Sequence, residues 1–208
     1  MPGSRSTLAL PFALLSVLAA GCGALSASDP PAPRTFLVRL DSPADGARPQ
    51  HKPLAAVYVA PVQVSAPYSE RNLIVRQSDL GFAADPYAQY AANPVSMWTD
   101  AVRGCLEAGG SFERVLPVAS SAEAGLTLET NLLEAVVDRR AGQPPSSRVT
   151  IRFLLLRSGA PYQVLLDRTF ARARAIKGGD AEAEVAALSL AAGDALRDLE
   201  EALDGVAR

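Results

Sequence analysis

Three segments in the second half of the chain carry apolar residues at alternating positions. The alternating members are Leu126, Leu128, Thr130, Leu132 and Val136, then Val149, Ile151, Phe153 and Leu155, then Tyr162, Val164, Leu166 and Phe170. A period of two gives a strand one face on the core and the other towards solvent. The short turn Ser158–Pro161 joins the second segment to the third, which predicts an antiparallel meander. Glu134 interrupts the apolar face of the first strand.

A helical spacing of three and four residues begins after Pro94. Its apolar positions are Val95, Trp98, Val102, Cys105 and Leu106. Asn93 is suited to cap the first turn, and Gly109-Gly110 is suited to end the helix. These signals predict an amphipathic helix over residues 95–108, with Cys105 as a buried and unreactive thiol.

A second stretch with apolar residues at helical spacing runs from Asp180 to Val206. Its apolar members are Val185, Leu188, Ala192, Leu196, Leu199, Leu203 and Val206. Asp180 can cap this helix, because Gly178-Gly179 directly precede it. Such a regular apolar stripe fits either a coiled-coil contact with another helix or packing on the protein's own sheet. The length of the helix favours packing on the sheet.

The remaining apolar runs predict shorter strands ahead of the meander. They lie at residues 36–40, 54–64, 72–77 and 112–117, with an irregular strand or turn at 81–90. Leu54–Val64 is almost continuously apolar, as is typical of a strand in the middle of a sheet. The order of strand, helix and strand around residues 95–108 indicates a parallel crossover.

These elements together predict one α/β domain over residues 36–208. Its helices, 95–108 and 180–206, are expected to pack on a single mixed sheet that contains residues 54–62 and 126–172. The predicted core includes Val57, Val59, Trp98, Ile151, Phe153, Leu188 and Leu199.

The N-terminal residues have the features of an export signal. Arg5 precedes an apolar run at residues 8–20, which is shorter than the roughly 20 residues that cross a bilayer. The sequence Leu18-Ala19-Ala20-Gly21-Cys22 then resembles the bacterial lipobox, in which the cysteine thiol receives diacylglycerol and the signal is cut before it. Residues 1–21 are therefore predicted to be a lipoprotein signal peptide and Cys22 its lipidation site. An ordinary signal peptide cut nearby is the alternative.

Residues 22–35 are predicted to be the lipidated cysteine and a flexible tether. The stretch after Cys22 is small, polar and rich in proline, so it buries too little apolar surface to order itself. Its thirteen residues reach at most ~45 Å when fully extended. Gly23 stands where an aspartate would resemble an inner-membrane retention signal, which favours an outer-membrane anchor with the domain facing the periplasm.

Composition and motifs narrow the function classes. The 208 residues carry a formal charge of −2, which predicts no nucleic-acid partner. The sole histidine, His51, falls in a turn-rich loop and is expected to be solvated, as are Asp198 and Glu200-Glu201 on the last helix. The sequence has no phosphate loop, metal-ligand spacing or nucleophile elbow, so neither an enzyme nor a metal or cofactor site is predicted.

Several segments are similar in sequence to a known family. Leu54–Val62, Pro67-Tyr68 and Asn72–Arg76, followed by Trp98 in an amphipathic helix, resemble the ABC-type transport auxiliary lipoproteins, the PqiC-like family of intermembrane lipid transport. Tyr68, Arg71 and Arg76 match the turn and strand of that family. The resemblance implies that they form a partner-binding edge, although Tyr68 packing the turn and Arg76 pairing with a carboxylate or backbone carbonyl is the simpler interpretation.

The resemblance also implies a fold like the N-terminal domain of TolB and a non-catalytic role. The expected partners are an MCE-domain protein, a permease and an ATPase that move lipids between the inner and outer membranes, with homo-oligomerisation suited to a ring-shaped partner. A competing hypothesis is a structural or assembly lipoprotein of the outer membrane, such as an activator of cell-wall synthesis, because a fold by itself does not define a function.

Overall fold

The computed structural model describes residues 32–40, 52–117, 120 and 122–206. The predicted signal peptide, Cys22, most of the tether and His51 lie outside the described residues. The account below concerns the compact unit that begins at Ala32.

The described residues form nine strands, two α-helices and one short 3₁₀ turn. In chain order they are β1 (Arg34–Phe36), β2 (Val57–Val59), β3 (Gln63–Val64), the 3₁₀ turn (Ala66–Tyr68), β4 (Asn72–Arg76), β5 (Phe82–Tyr90), α1 (Pro94–Gly109), β6 (Val115–Leu116), β7 (Leu126–Asp138), β8 (Ser146–Arg157), β9 (Gln163–Ala175) and α2 (Ala181–Val206). The fold class predicted from the sequence, a mixed sheet with helices packed on it, is confirmed.

Three of the predicted strands have different bounds in the structure. One is β6, which holds two residues of the predicted 112–117. The first strand is Arg34–Phe36 rather than 36–40, so its first two residues belong to the segment expected to be tether. It is ordered because it pairs in parallel with β5, from Arg34 opposite Ala88 to Phe36 opposite Tyr90. The apolar run 54–64 holds two short strands, since Pro61 lacks the N–H that a continuous ladder needs.

Strand β7 is the centre of the sheet. It pairs with β8 in an antiparallel ladder from Leu126 opposite Arg157 to Asp138 opposite Ser146. Its other edge pairs in parallel with β2, then β3, then β4. Strand β8 also pairs with β9 in an antiparallel ladder, so the predicted meander is confirmed.

Helix α1 joins β5 to β6, and these two strands are not neighbours in the sheet. Strand β6 instead pairs in parallel with β2, with Val57 opposite Val115, so the connection between that parallel pair contains β3, β4, β5 and α1. The Asn93 side chain accepts a hydrogen bond from the Val95 N–H, and Gly110 ends the helix with a φ of 74°. Trp98 and Cys105 are both buried on the apolar side of α1, as the helical spacing predicts.

Helix α2 packs on its own sheet, against β8 and β9 and the adjoining part of β7, which is the arrangement that its length favours. The β8 side chains beneath it are fully buried, namely Val149, Ile151, Phe153 and Leu155. Ser147 lies on the same face and donates a hydrogen bond to the Glu184 carbonyl of α2 at 2.7 Å. The seven predicted core residues are all buried.

The alternation in the meander fails at two irregular points. The β7–β8 register shifts between Leu132 and Glu134, which leaves Leu133 42% exposed and moves Glu134 to the opposite face. A second shift near Leu155 leaves Val164 58% exposed. Tyr162 precedes β9 and is 68% exposed, so the apolar alternation was misleading there.

Replacing Phe153 with alanine tests the register of β8. Because Phe153 is fully buried, we expect the free energy of unfolding to fall by about 3–5 kcal/mol through cavity formation. Urea denaturation followed by circular dichroism measures this loss. Phe82→Ala is the matched control, since Phe82 is 49% exposed and its truncation should cost only about 0.5 kcal/mol. A loss as small as the control's would mean that Phe153 does not face the core.

Candidate functional site

Two of the three predicted partner-binding residues lie near each other on the sheet face opposite α2. The parallel register sets Arg76 beside Asp138, and the antiparallel register sets Glu134 beside Thr150. Thr150 alternates with the buried β8 residues, so these side chains share the face away from the helix. Tyr68, in the 3₁₀ turn, is close enough to this group for Glu134 and Arg76 to influence its pKa.

Asp138 is the buried centre of a charged cluster on this face. Its side chain is 3% exposed, and its carboxylate accepts hydrogen bonds from Arg140 Nε at 3.0 Å and Arg140 Nη2 at 2.8 Å. Arg140 Nη1 also reaches the carboxylate of Asp79 at 2.7 Å, and Arg148 lies 4.0 Å from Asp138. We call Arg76, Asp79, Asp138, Arg140 and Arg148 the Asp138 cluster. The hydrogen bonds from Arg140 hold the pKa of Asp138 below its ordinary value.

Arg76 closes the turn between β4 and β5. It donates hydrogen bonds to the carbonyls of Ser78 and Asp79, both at 3.2 Å, and its guanidinium lies 5.6 Å from the centre of the Phe82 ring. Its side chain is only 20% exposed. The structure therefore gives Arg76 a local structural role, which agrees with the simpler interpretation of this residue.

Tyr68 is half-buried in the 3₁₀ turn that precedes β4. Burial, followed by the negative charge of Glu134, raises the pKa of its hydroxyl, and the positive charge of Arg76 partly opposes the rise. Glu134 accepts a hydrogen bond from Thr150 at 3.1 Å. Part of the Tyr68 ring therefore packs the turn, while the rest is available on the surface.

Arg71 makes its contacts at the other end of β4. Its Nε donates to the Tyr90 carbonyl at 2.8 Å and its Nη2 to the Ala91 carbonyl at 3.4 Å. The Tyr90 N–H in turn donates to the Arg71 carbonyl at 2.6 Å. These bonds join the start of β4 to the end of β5. A partner-binding role for Tyr68, Arg71 and Arg76 stays a prediction.

A cleft of about 860 Å³ between β1 and α2 was not anticipated from the sequence. Arg34 pairs with Glu182 across it at 3.0 Å. Asp194 accepts hydrogen bonds from Arg174 of β9 at 2.6 Å and from Arg197 at 2.7 Å. Arg34 and Arg174 lie far from their partners in the sequence, which is why no local motif signals the cleft. Three of the four arginines that line it are paired with carboxylates, and apolar side chains such as Leu37 and Leu190 line the rest.

The carboxylates of α2 are not the solvated face that the sequence predicts. Asp198 forms an ion pair with Arg172 of β9 at 2.6 Å, and its side chain is 20% exposed. Glu200 is half-buried, close to Gly109 at the end of α1, and burial raises its pKa. Glu201 is exposed, as expected. The prediction for Asp198 and Glu200 was wrong because β9 and α1 pack on the helix surface where they lie.

No group of three or more histidine, cysteine, aspartate or glutamate side chains in the described ranges is arranged to hold a metal ion. Neither α1 nor α2 is long and apolar enough to span a membrane.

Solved structures share this arrangement of one mixed sheet and two helices. A Xanthomonas campestris protein of family DUF330 matches with a TM-score of 0.63 and 21% identity, over 81% of this chain and 91% of its own. A crystal structure of an uncharacterised protein matches with a TM-score of 0.64 and 11% identity, over 83% of this chain and 99% of that one. These likenesses define the class of fold. No curated protein matches the sequence.

A match to a family model shows the family to which this chain belongs. The model of the ABC-type transport auxiliary lipoprotein component family matches residues 39–199, which include β2 to β9 and most of α2. The chain belongs to this family, as the resemblance in Leu54–Val62 and Asn72–Arg76 predicts.

Replacing Asp138 with asparagine tests the Asp138 cluster. At pH 7 we expect the variant to unfold at lower urea concentration than the wild type, because an amide does not form the charged pair with Arg140. The pKa of Asp138 in the folded protein lies below the ordinary 3.8, so its stabilisation is complete above about pH 4 and is lost as the pH falls through the folded value. The difference between the two proteins should therefore shrink below about pH 4.

The exposed pair of Asp167 and Arg152 supplies the control for this measurement. Its side chains are 43% and 45% exposed, so Asp167→Asn should have a smaller effect that salt weakens further. Unfolding midpoints that are equal for Asp138→Asn and wild type at pH 7 would contradict a stabilising role for the cluster.

Proposed function

We propose that this protein is a periplasm-facing lipoprotein that acts by contact, as a non-catalytic accessory component of an MCE-type ABC system moving lipids between the inner and outer membranes. The observation that carries the proposal is the family match over residues 39–199, since the family is one of auxiliary transport lipoproteins. The lipid cargo, the MCE-domain partner and the outer-membrane location are the specific parts of the proposal.

The N-terminal sequence supports an anchored arrangement. Cys22 follows an apolar run and small residues, and nine residues separate it from Ala32, where the compact unit begins. A lipid on Cys22 would hold the domain at the membrane surface. The domain would stay close to a partner in the same envelope and so have a raised effective concentration there.

The open sheet face supports a docking surface near Tyr68. A half-buried tyrosine beside arginines has the composition of an interface hot spot, because it offers apolar area and charged donors in a small patch. Arg76 and Arg140 are positioned by their carboxylate and carbonyl partners, so a partner would meet a largely preformed surface. Several copies of the domain arranged around a ring-shaped MCE protein would repeat this contact.

Cys22→Ser tests the anchor. Loss of the thiol should block lipid attachment and either release the protein from membranes or leave its signal uncut, because each methylene buried in a bilayer contributes ~0.8 kcal/mol. Membrane fractionation and mass spectrometry of the N-terminal peptide measure this. Cys105→Ala is the matched control, since it removes the other cysteine and should leave the attachment intact. An unmodified N-terminus at Cys22 in the wild type would contradict the anchor.

Crosslinking to an MCE-domain protein of the same cell envelope tests the partner and the docking face. Wild type is expected to capture the MCE protein, and Tyr68→Ala should reduce capture at least several-fold because it removes the aromatic contact. Tyr162→Ala is the matched control, as Tyr162 is a 68% exposed tyrosine at the β8–β9 turn. Arg71→Ala is interpreted only together with a folding measurement, since Arg71 also joins β4 to β5 through the Tyr90 carbonyl and its loss affects both folding and binding.

The outcomes of the crosslinking experiment are distinct. If the wild type captures no MCE protein, the transport role fails and an assembly lipoprotein of the outer membrane becomes the better hypothesis. If Tyr68→Ala and Tyr162→Ala capture it as well as the wild type does, the docking face is wrong and the partner stands. Circular dichroism of each variant shows that the domain is still folded.

A further inference from the structure

The turn between β4 and β5 exposes large apolar side chains. Leu80 is 94% exposed, the highest value for a large hydrophobic residue in the part of the chain that the structure describes. Phe82 follows it at 49%, and Tyr87, on the same hairpin, is 41% exposed. We call residues 78–82 the hairpin tip. Exposed apolar side chains grouped on one projecting element indicate a contact surface.

The hairpin tip is held in its conformation by polar bonds rather than by packing. The Gln77 N–H donates to the Gly81 carbonyl at 2.9 Å, and the Gly81 N–H donates to the Ser78 hydroxyl at 2.8 Å. Arg76 binds the Ser78 carbonyl, and Arg140 reaches Asp79 at 2.7 Å. The turn is therefore already ordered with Leu80 on its surface, so a contact made by Leu80 costs little further backbone entropy.

The hairpin and the point where β1 begins both lie near the start of α2. Strand β1 pairs in parallel with the last residues of β5, from Arg34 opposite Ala88, so its direction leads away from the Phe82 end of β5 that adjoins the hairpin tip. Arg34 also pairs with Glu182 in the first turn of α2. The start of α2 lines a groove of about 460 Å³ together with Ala83 and Tyr87 of the hairpin.

The length of chain ahead of the domain limits how far this end can be from the anchor. Ten residues from Cys22 to Ala32 span at most about 35 Å when extended. If Cys22 carries lipid, as proposed above, this end of the domain stays near the bilayer. A projecting leucine and phenylalanine beside an arginine are the residue types that enter the interfacial region of a lipid surface.

We propose that Leu80 and Phe82 of the hairpin tip insert into the lipid surface that holds the Cys22 anchor. The inference rests on the anchor in the proposed function and adds a second, orienting contact to it. A single anchor leaves a domain free to rotate, whereas two contacts fix which end faces the bilayer.

Tryptophan introduced at the hairpin tip tests the insertion. The full-length lipoprotein carrying Leu80→Trp is reconstituted into vesicles of phosphatidylethanolamine and phosphatidylglycerol that contain nitroxide-labelled acyl chains. The emission from position 80 is expected to shift to shorter wavelength and to lose most of its intensity through quenching by these lipids. The wild type supplies the background, since its one tryptophan, Trp98, is 1% exposed.

Tyr162→Trp is the matched control. Tyr162 is a 68% exposed aromatic residue at the β8–β9 turn, and this turn lies beside the Leu126 end of β7, whereas the hairpin tip lies beside the Asp138 end. Its emission should not change with the quenching lipids. The mass of the N-terminal peptide is measured in the same samples, so that the state of the anchor is known.

Each outcome decides the proposal. A lipidated protein whose position 80 is not quenched, or whose position 162 is quenched equally, would overturn the insertion while leaving the anchor intact. A protein without lipid whose position 80 is quenched would overturn the anchor but support the hairpin tip as a membrane contact. Absence of both lipid and quenching would overturn both.

Discussion

The hydrogen-bonding of β7 along both of its edges is the constraint on which the rest of the structure depends. One edge is paired with β8, and the other edge is shared in succession by β2, β3 and β4. A buried strand requires partners for its backbone N–H and C=O groups, and here no single neighbour supplies them all on the second edge. The first part of the domain therefore includes short strands connected by turns. Tyr68 and Arg71 lie in the connection before β4, and Arg76 is the last residue of β4.

Apolar burial and ion pairs have different roles in this domain. The contact between α2 and β8 supplies the driving force, because fully buried side chains such as Phe153 and Leu199 fill it. The carboxylates Glu184, Asp194 and Asp198 lie at the margins of that contact, where they meet arginines that are 41–48% exposed. Partly exposed pairs contribute little net stability, so they mainly fix the angle and position at which the helix lies on the sheet.

The sequence predicted most of the elements but few of their polar contacts. Alternation and helical spacing are patterns within short stretches of sequence. The meander, both helices and the core around Phe153 could therefore be predicted from them. The pairing of Asp198 with Arg172, or of Arg76 with the turn before Phe82, depends on which surfaces meet in three dimensions. The exposed positions of Tyr162 and Val164 were missed because a register shift near Leu155 overrides a pattern that is otherwise regular. The family resemblance suggested Tyr68, Arg71 and Arg76 as candidate site residues. The structure then showed that Arg76 belongs to the Asp138 cluster.

The contact between β1 and α2 has a consequence for the order in which the chain folds. Arg34 and Glu182 are 148 residues apart, and β1 otherwise pairs only with β5. In a chain that emerges N-terminus first, the strand nearest the N-terminus cannot complete its contacts until the last helix has appeared. Contacts of such large sequence separation slow folding because loop closure precedes any gain in packing. The same helix covers the buried face of β8, so the core is complete only when the C-terminal part of the chain is present.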